Sequence, residues 1–219
     1  MPQSILVVAP HPDDESIGCG GTICLHHRQG DRVHAVFLTS GERGVADAAP
    51  ETAREIREAE AGAAGELLFL DRLEFLRLPD LYVAGHIEAG ALQLQTVLEA
   101  FAPDVIYLPH PGEAHPDHQA ALPLVRKALA TFRAEAGGAS SLPELRLYEV
   151  WSPMTAHGWA EDISPFMRRK LRAVRCYQSQ LETFRYDRAV RGLNQYRGCL
   201  AASCRYAEVF QYASAREED

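Results

Sequence analysis

Residues 5–15 read Ile5-Leu6-Val7-Val8-Ala9-Pro10-His11-Pro12-Asp13-Asp14-Glu15. A short apolar run rich in β-branched residues, stopped by Pro10, fits a strand buried on both faces. One imidazole and three carboxylates follow within five residues. Like charges so close repel, and a bound cation is the simplest agent that relieves them. Pro10 and Pro12 stiffen the backbone that presents these side chains. A turn leading to a helix N-terminus accounts for one or two of the acids. It does not account for His11 and both aspartates together.

Outward from this stretch, apolar runs and amphipathic segments alternate. Ile17–Arg28 reads as a helix of small residues closed by Gly30, and Arg32–Leu38 as a second strand. Ser40–Pro50 reads as a loop; Thr52 with Glu55 has capping-box spacing for a charged helix to about Gly65. Leu67–Leu70 and Glu74–Arg77 are short strand candidates, Ile87–Phe101 a helix, and Val105–Leu108 a strand. Helix is expected over Asp117–Ala136, a loop over Gly137–Pro143 and a strand over Leu145–Val150. Ser164-Pro165 signals a further helix start, and Arg216–Asp219 is a charged tail. Such alternation predicts an α/β fold, a mostly parallel sheet with helices on both faces. Ligands of such sheets bind beyond the carboxyl ends of the strands. Chemistry is therefore expected after Ala9, Leu38, Leu70 and Leu108.

With 219 residues the chain is read as one domain, residues 1–219, its last third (about 160–205) mostly helical. Hydrophobic residues at 47% and charged residues at 24% exclude bulk disorder. The balance of 22 Lys+Arg against 30 Asp+Glu, net −8, argues against nucleic-acid partners. No apolar run approaches the roughly 20 residues of a membrane span, so no membrane association is expected. Met1–Gln3 leads straight into the first strand and is not read as a signal peptide. The five cysteines contain no C-x-x-C pair and read as free thiols in a cytoplasmic protein. Gly18, Gly20 and Gly21 lie too far beyond the first strand for a dinucleotide fingerprint, and close helix packing explains them better.

A second polar cluster follows Val105–Leu108: His110-Pro111-Gly112-Glu113-Ala114-His115-Pro116-Asp117-His118. His115 and His118, three apart at a helix start, can face one point. Two His/Asp-rich strand ends could together supply three ligands to zinc, leaving a fourth position for water. Which aspartate and which histidine join His11 is open at this level.

Pro-His-Pro-Asp-Asp-Glu near the start, with His-Pro-Asp-His about a hundred residues later, resembles the LmbE-like, or PIG-L, family. Further motifs follow in family order. They are Thr39-Ser40-Gly41-Glu42, Arg54 at a helix start, Leu78-Pro79-Asp80, Lys170…Ala173…Tyr177-x-Ser179-Gln180 and Ala207-Glu208-Val209-Phe210. The resemblance implies a Rossmann-like fold and a zinc-dependent N-acetylglucosaminyl deacetylase, with Fe²⁺ as an alternative metal. It implies zinc on His11, Asp14 and His118, and Asp13 as the general base for the zinc-bound water. His115 would stabilise the oxyanion and Asp117 would orient His115. Arg54 and Asp80 would lie near the sugar, with Arg43 as a further substrate contact. By analogy with relatives a homo-oligomer is expected. Two rival readings keep the motifs: an amidase for non-sugar or thiol conjugates, and a non-catalytic metal- or nucleotide-binding module. The presence of Asp13, His115 and Asp117 beyond any ligand set disfavours the last.

Overall fold

Alternate residues of the first strand, Ser4–Ala9 (β1), serve two cores in the computed structural model, which describes residues 1–135 and 142–216. Ile5, Val7 and Ala9 enter one apolar cluster and Leu6 and Val8 the other, all with no exposed surface. Burial of each large side chain contributes on the order of 1.5–3 kcal/mol, so this strand anchors both layers. The other strands are β2 (Arg32–Phe37), β3 (Arg72–Phe75), β4 (Val105–Pro109), β5 (Glu144–Tyr148), β6 (Trp159–Asp162) and β7 (Ala207–Ala213). They lie in the order β3-β2-β1-β4-β5-β7-β6. The pairings from β3 to β5 are parallel, and β7 runs antiparallel to both β5 and β6. The sheet is thus mixed, parallel from the β3 edge to β5 and antiparallel at the other edge.

Helices α1 (Asp14–Gln29), α2 (Pro50–Leu68) and α5 (Met167–Val174) cover one face. Helices α3 (Ile87–Phe101) and α4 (Pro116–Glu135) cover the other. Short α6 (Gln178–Leu181) and α7 (Tyr186–Arg197) complete the C-terminal part. No helix among the described residues is long and apolar enough to cross a membrane.

Several sequence expectations need correction. Leu67–Leu70 is not a strand: α2 continues to Leu68 and stops where Phe69 takes a left-handed conformation, φ 63°. The third strand end is therefore Phe75, and the expected chemistry follows it rather than Leu70. Thr52 is not a cap, because α2 begins at Pro50 and Ala49 stands at its N-cap. Over residues 160–205 the chain carries α5, α6 and α7, with β6 overlapping its start and β7 following it. The expected Gly137–Pro143 loop and Arg216–Asp219 tail fall largely outside the described residues.

Helix α1 is broken at Cys19, φ −137° and ψ 20°. The break frees backbone groups that a continuous helix would pair. Glu208 accepts from the N–H groups of Gly21 and Thr22, both at 2.8 Å, and Lys170 Nζ donates to Ile17 O at 2.7 Å. Lys170 and Glu208 meet at 2.6 Å, fully buried. A Cβ on Gly18 would run into the Tyr148 ring, and one on Gly21 would lie 2.6 Å from Ile163. These glycines serve close packing.

Candidate metal centre and active site

At the carboxyl ends of β1 and β4, three donor atoms form a nearly equilateral triangle. His11 Nδ1 and Asp14 Oδ2 are 3.3 Å apart, His118 Nε2 and Asp14 Oδ2 3.2 Å, and His118 Nε2 and His11 Nδ1 3.3 Å. A tetrahedral ion with bonds of about 2.0–2.1 Å separates its ligands by about 3.3–3.4 Å. The triangle has that edge. His118 and Asp14 have no exposed surface and His11 is 8% exposed. Asp14 Oδ1 and His118 Nδ1 find no hydrogen-bond partner among the described residues. The donor set therefore fits a cation of zinc's size. Donors of His11, His115 and His118 also gather within 4.8 Å, as do those of His11, Asp80 and Asp117. The smaller triangle is preferred because its atoms already stand at ligand spacing.

The two ring nitrogens of His11 face opposite neighbourhoods. Nε2 lies 3.2 Å from Asp117 Oδ2 and 3.3 Å from Asp80 Oδ1. A carboxylate that accepts the Nε2–H hydrogen bond leaves Nδ1 free as a ligand atom. Asp117 also accepts the N–H groups of Leu81 and Val83, at 2.8 and 3.0 Å. Its carboxylate is thus directed at His11. The expected support of His115 is limited to the Asp117 backbone N–H, 3.3 Å from His115 Nδ1.

Asp13 adopts φ 128°, a region L-residues avoid at a cost of about 1–3 kcal/mol. Its N–H donates to Glu15 Oε2 at 3.1 Å, and Tyr177 Oη donates to Glu15 Oε1 at 2.6 Å. Arg57 grips the same turn, with Nη2 on Pro12 O and 3.2 Å from Asp13 Oδ2. Burial raises the Asp13 carboxyl to about 7, against the Arg57 charge that draws it down. The neighbouring Asp14 moves the other way: despite burial, His118 and His11 hold it well below the usual carboxylate range. Two adjacent carboxylates are thereby pushed in opposite directions, Asp13 up and Asp14 down.

These groups open into a cavity of about 610 Å³ whose lining includes His11, Asp13, Arg57, Asp80 and His115. Residues 6–129 match the PIG-L family, described as GlcNAc-PI de-N-acetylase. The chain belongs to the PIG-L family. It is 30% identical over 196 residues to the probable N-acetyl-α-D-glucosaminyl L-malate deacetylase 2 of Bacillus anthracis, covering 82% of each chain. N,N'-diacetylchitobiose deacetylase from Pyrococcus horikoshii superimposes with a TM-score of 0.84 at 25% identity, over 97% of this chain and 84% of that one. GalB, the 4-carboxy-2-hydroxymuconate hydratase of Pseudomonas putida, shares the fold at 24% identity, with a TM-score of 0.77 over 99% and 98% of the two chains. Fold alone therefore does not decide the reaction.

Within this PIG-L chain, His11, Asp13, Asp14, Asp80, His115, Asp117 and His118 converge as the motifs suggested. Asp80 lines the cavity and accepts the Arg43 N–H at 2.9 Å. Arg43 lines it from the loop after β2. Arg54 does not: it is half-buried on α2, and Arg57, one turn on, supplies the guanidinium. The signal for Arg57 was present, because the buried stripe of α2 runs Ala53, Arg57, Ala61, Ala64, Leu68. A charge on a stripe of alanines must have a buried partner. Glu113 was also missed. It accepts the N–H groups of Val150, Trp151 and Ser152 and lies 3.6 Å from His118 Nδ1. Nothing in the linear spacing of Glu113 marks that role. His110 donates to Ser152 O at 2.7 Å and shapes the same loop.

Proposed function

We propose that this PIG-L family member is a metal-dependent hydrolase that removes the N-acetyl group from an N-acetylglucosamine conjugate. The observation that carries the reading is the His11–Asp14–His118 triangle with Asp13 beside it, on the cavity wall. Those three residues would hold the metal, which supplies Lewis acidity to a water and to the acetyl carbonyl when bound. Two imidazoles, one carboxylate and an open position suit zinc, and ferrous iron accepts the same set.

Asp13 takes a proton from the water as its oxygen attacks the acetyl carbonyl carbon. The carbonyl oxygen gains negative charge, which His115 at the cavity wall stabilises. When the C–N bond breaks, Asp13 returns the proton to the leaving nitrogen, giving acetate and a free amine. Arg57 keeps the Asp13 carboxylate aimed while its charge changes. Asp80 and Arg43 offer an acceptor and a donor to sugar hydroxyls, and Asp117 holds His11.

The test is removal of metal with a chelator, assay of amine release from an N-acetylglucosaminyl glycoside, and re-addition of zinc or ferrous iron. Activity is expected to vanish and return. Undiminished turnover by the stripped protein, or by Asp13→Ala, overturns the reading.

A further inference from the structure

The cavity lining combines two chemistries: the polar groups His11, Asp13, Arg57, Asp80 and His115, and the aromatic rings Trp151, Phe184 and Tyr186. Trp151 and Tyr186 have ring centroids 4.5 Å apart, and Phe184 stacks on Tyr186 at 5.6 Å with 20° between planes. Phe184 is 58% exposed and Trp151 38%, unusual for large apolar rings that have a core available beneath them. Exposed apolar surface gathered at a cavity wall marks a binding face.

The wall is fixed relative to the reacting groups. The Trp151 N–H donates at 3.1 Å to Glu113, the carboxylate that approaches His118. Its charge is also muted. Arg185, between Phe184 and Tyr186 in the chain, is spent on Asp187 at 3.1 and 3.2 Å. Tyr186 has its hydroxyl raised to about 12 by burial and stays neutral. Of the two arginines among the described lining residues, Arg57 is held by Asp13, and Arg43 lies on the loop after β2 and stacks over Tyr82 at 5.4 Å.

Resting on the deacetylase reading, we propose that Trp151, Phe184 and Tyr186 form the subsite for the group attached to the amino sugar. Its occupant is an uncharged ring, and the wall selects it over small acidic attachments. The negative faces of aromatic rings attract the C–H edge of a pyranose or the positive edge of an aryl ring. A carboxylate-bearing, acyclic attachment finds no cation among Trp151, Phe184 and Tyr186.

The experiment uses the metal-loaded protein and four glycosides of N-acetylglucosamine. Their attachments are methyl, a second N-acetylglucosamine, 4-nitrophenyl and L-malate. The readout is the ratio of each kcat/KM to that of the methyl glycoside. The wild type is expected to favour at least one ring substrate about tenfold, a size that one ring stack supplies. The better ring identifies the occupant as sugar or aryl. Phe184→Ala and Trp151→Ala are expected to bring that ratio close to one, and Phe184→Tyr to keep it. Phe184 is exposed, so its variant folds even if Trp151→Ala does not. A ratio unchanged in Phe184→Ala overturns the subsite, as does malate preferred in the wild type and lost in Arg43→Ala. Turnover of the methyl glycoside with no ring preference refutes the subsite alone. Absence of any amine release refutes the deacetylase reading and the subsite with it.

Discussion

His11 couples the metal triangle to its surroundings through its second nitrogen, and Asp117 is the group that decides how. With Asp117 Oδ2 at 3.2 Å from Nε2, the carboxylate would fix the tautomer and raise the basicity of Nδ1 as a ligand. Asp117→Asn is therefore expected to weaken metal binding about 10–100-fold, read by competition with a chromophoric chelator. Saturating metal should then restore much of kcat. If Asp117 acted instead by orienting His115, affinity would hold and kcat would fall at every metal concentration. Asp13 makes the complementary case, since it faces the cavity and is not a corner of the triangle. Asp13→Asn should keep its metal and lose about 10²–10⁴ in kcat, while His11→Ala should fail to retain metal after dialysis. Equal metal contents in the two variants would reverse the assignment. Sequence reading reached these residues because each motif sits within a few positions of a strand end. It placed Arg54 in the site because two arginines one turn apart look alike until the buried face of α2 is identified.

At the scale of elements, the broken helix α1 does the positioning. Its first turns carry Asp14, and the chain must bend at Cys19 to pack Gly18 against Tyr148. Lys170 and Glu208 cap the two halves from α5 and β7, elements more than 140 residues later in the chain. Removing one member leaves a buried charge without its partner, a loss of roughly 3–5 kcal/mol. Glu208→Ala should thus lower the urea midpoint strongly, with little change in m. The double variant Lys170→Met/Glu208→Gln should recover part of that loss; no recovery would mean the backbone caps dominate over the ion pair. The motifs contained Lys170 and Glu208, but their pairing across the broken helix could not be read from sequence. A buried glutamate breaks the alternation of β7, and β6 has four residues that are all partly exposed, so neither shows a strand period. On β2, His34 offers a separate probe. It is 2% exposed, its Nε2 makes no hydrogen bond among the described residues and lies 3.6 Å from Glu74 Oε1, and burial lowers its pKa to about 4. The unfolded chain protonates near 6.5, so stability is held above that pH and lost as pH falls from about 6.5 towards 4. His34→Leu should reduce the difference between urea midpoints measured at pH 7 and pH 5. An unchanged difference would show that other groups set the acid limb.

For the whole molecule, the net charge of −8 is unevenly placed. Asp13, Asp14, Glu15, Asp80, Glu113 and Asp117 are all buried around one end of the sheet. Gathering six carboxylates there opposes folding unless cationic partners offset them. Arg57 engages Asp13, and imidazoles engage Asp14, Asp80, Glu113 and Asp117. A dication held by the triangle would bind the folded chain and leave the scattered ligands of the unfolded chain weakly occupied. Linkage then makes the ion part of the stability: free metal at 1,000 times Kd adds about 4 kcal/mol. At about 2–4 °C per kcal/mol for a chain of this length, chelation should lower Tm by roughly 8–16 °C. Re-addition of zinc should restore it, whereas magnesium, which prefers oxygen-only octahedral sites, should not. His11→Ala should show the same Tm with and without chelator, and Asp13→Ala should keep the full metal-dependent increment. A chelator shift of equal size in wild type and His11→Ala would place the stabilising ion elsewhere. In that case the acidic end of the sheet would have to be neutralised by Arg57 and its histidines.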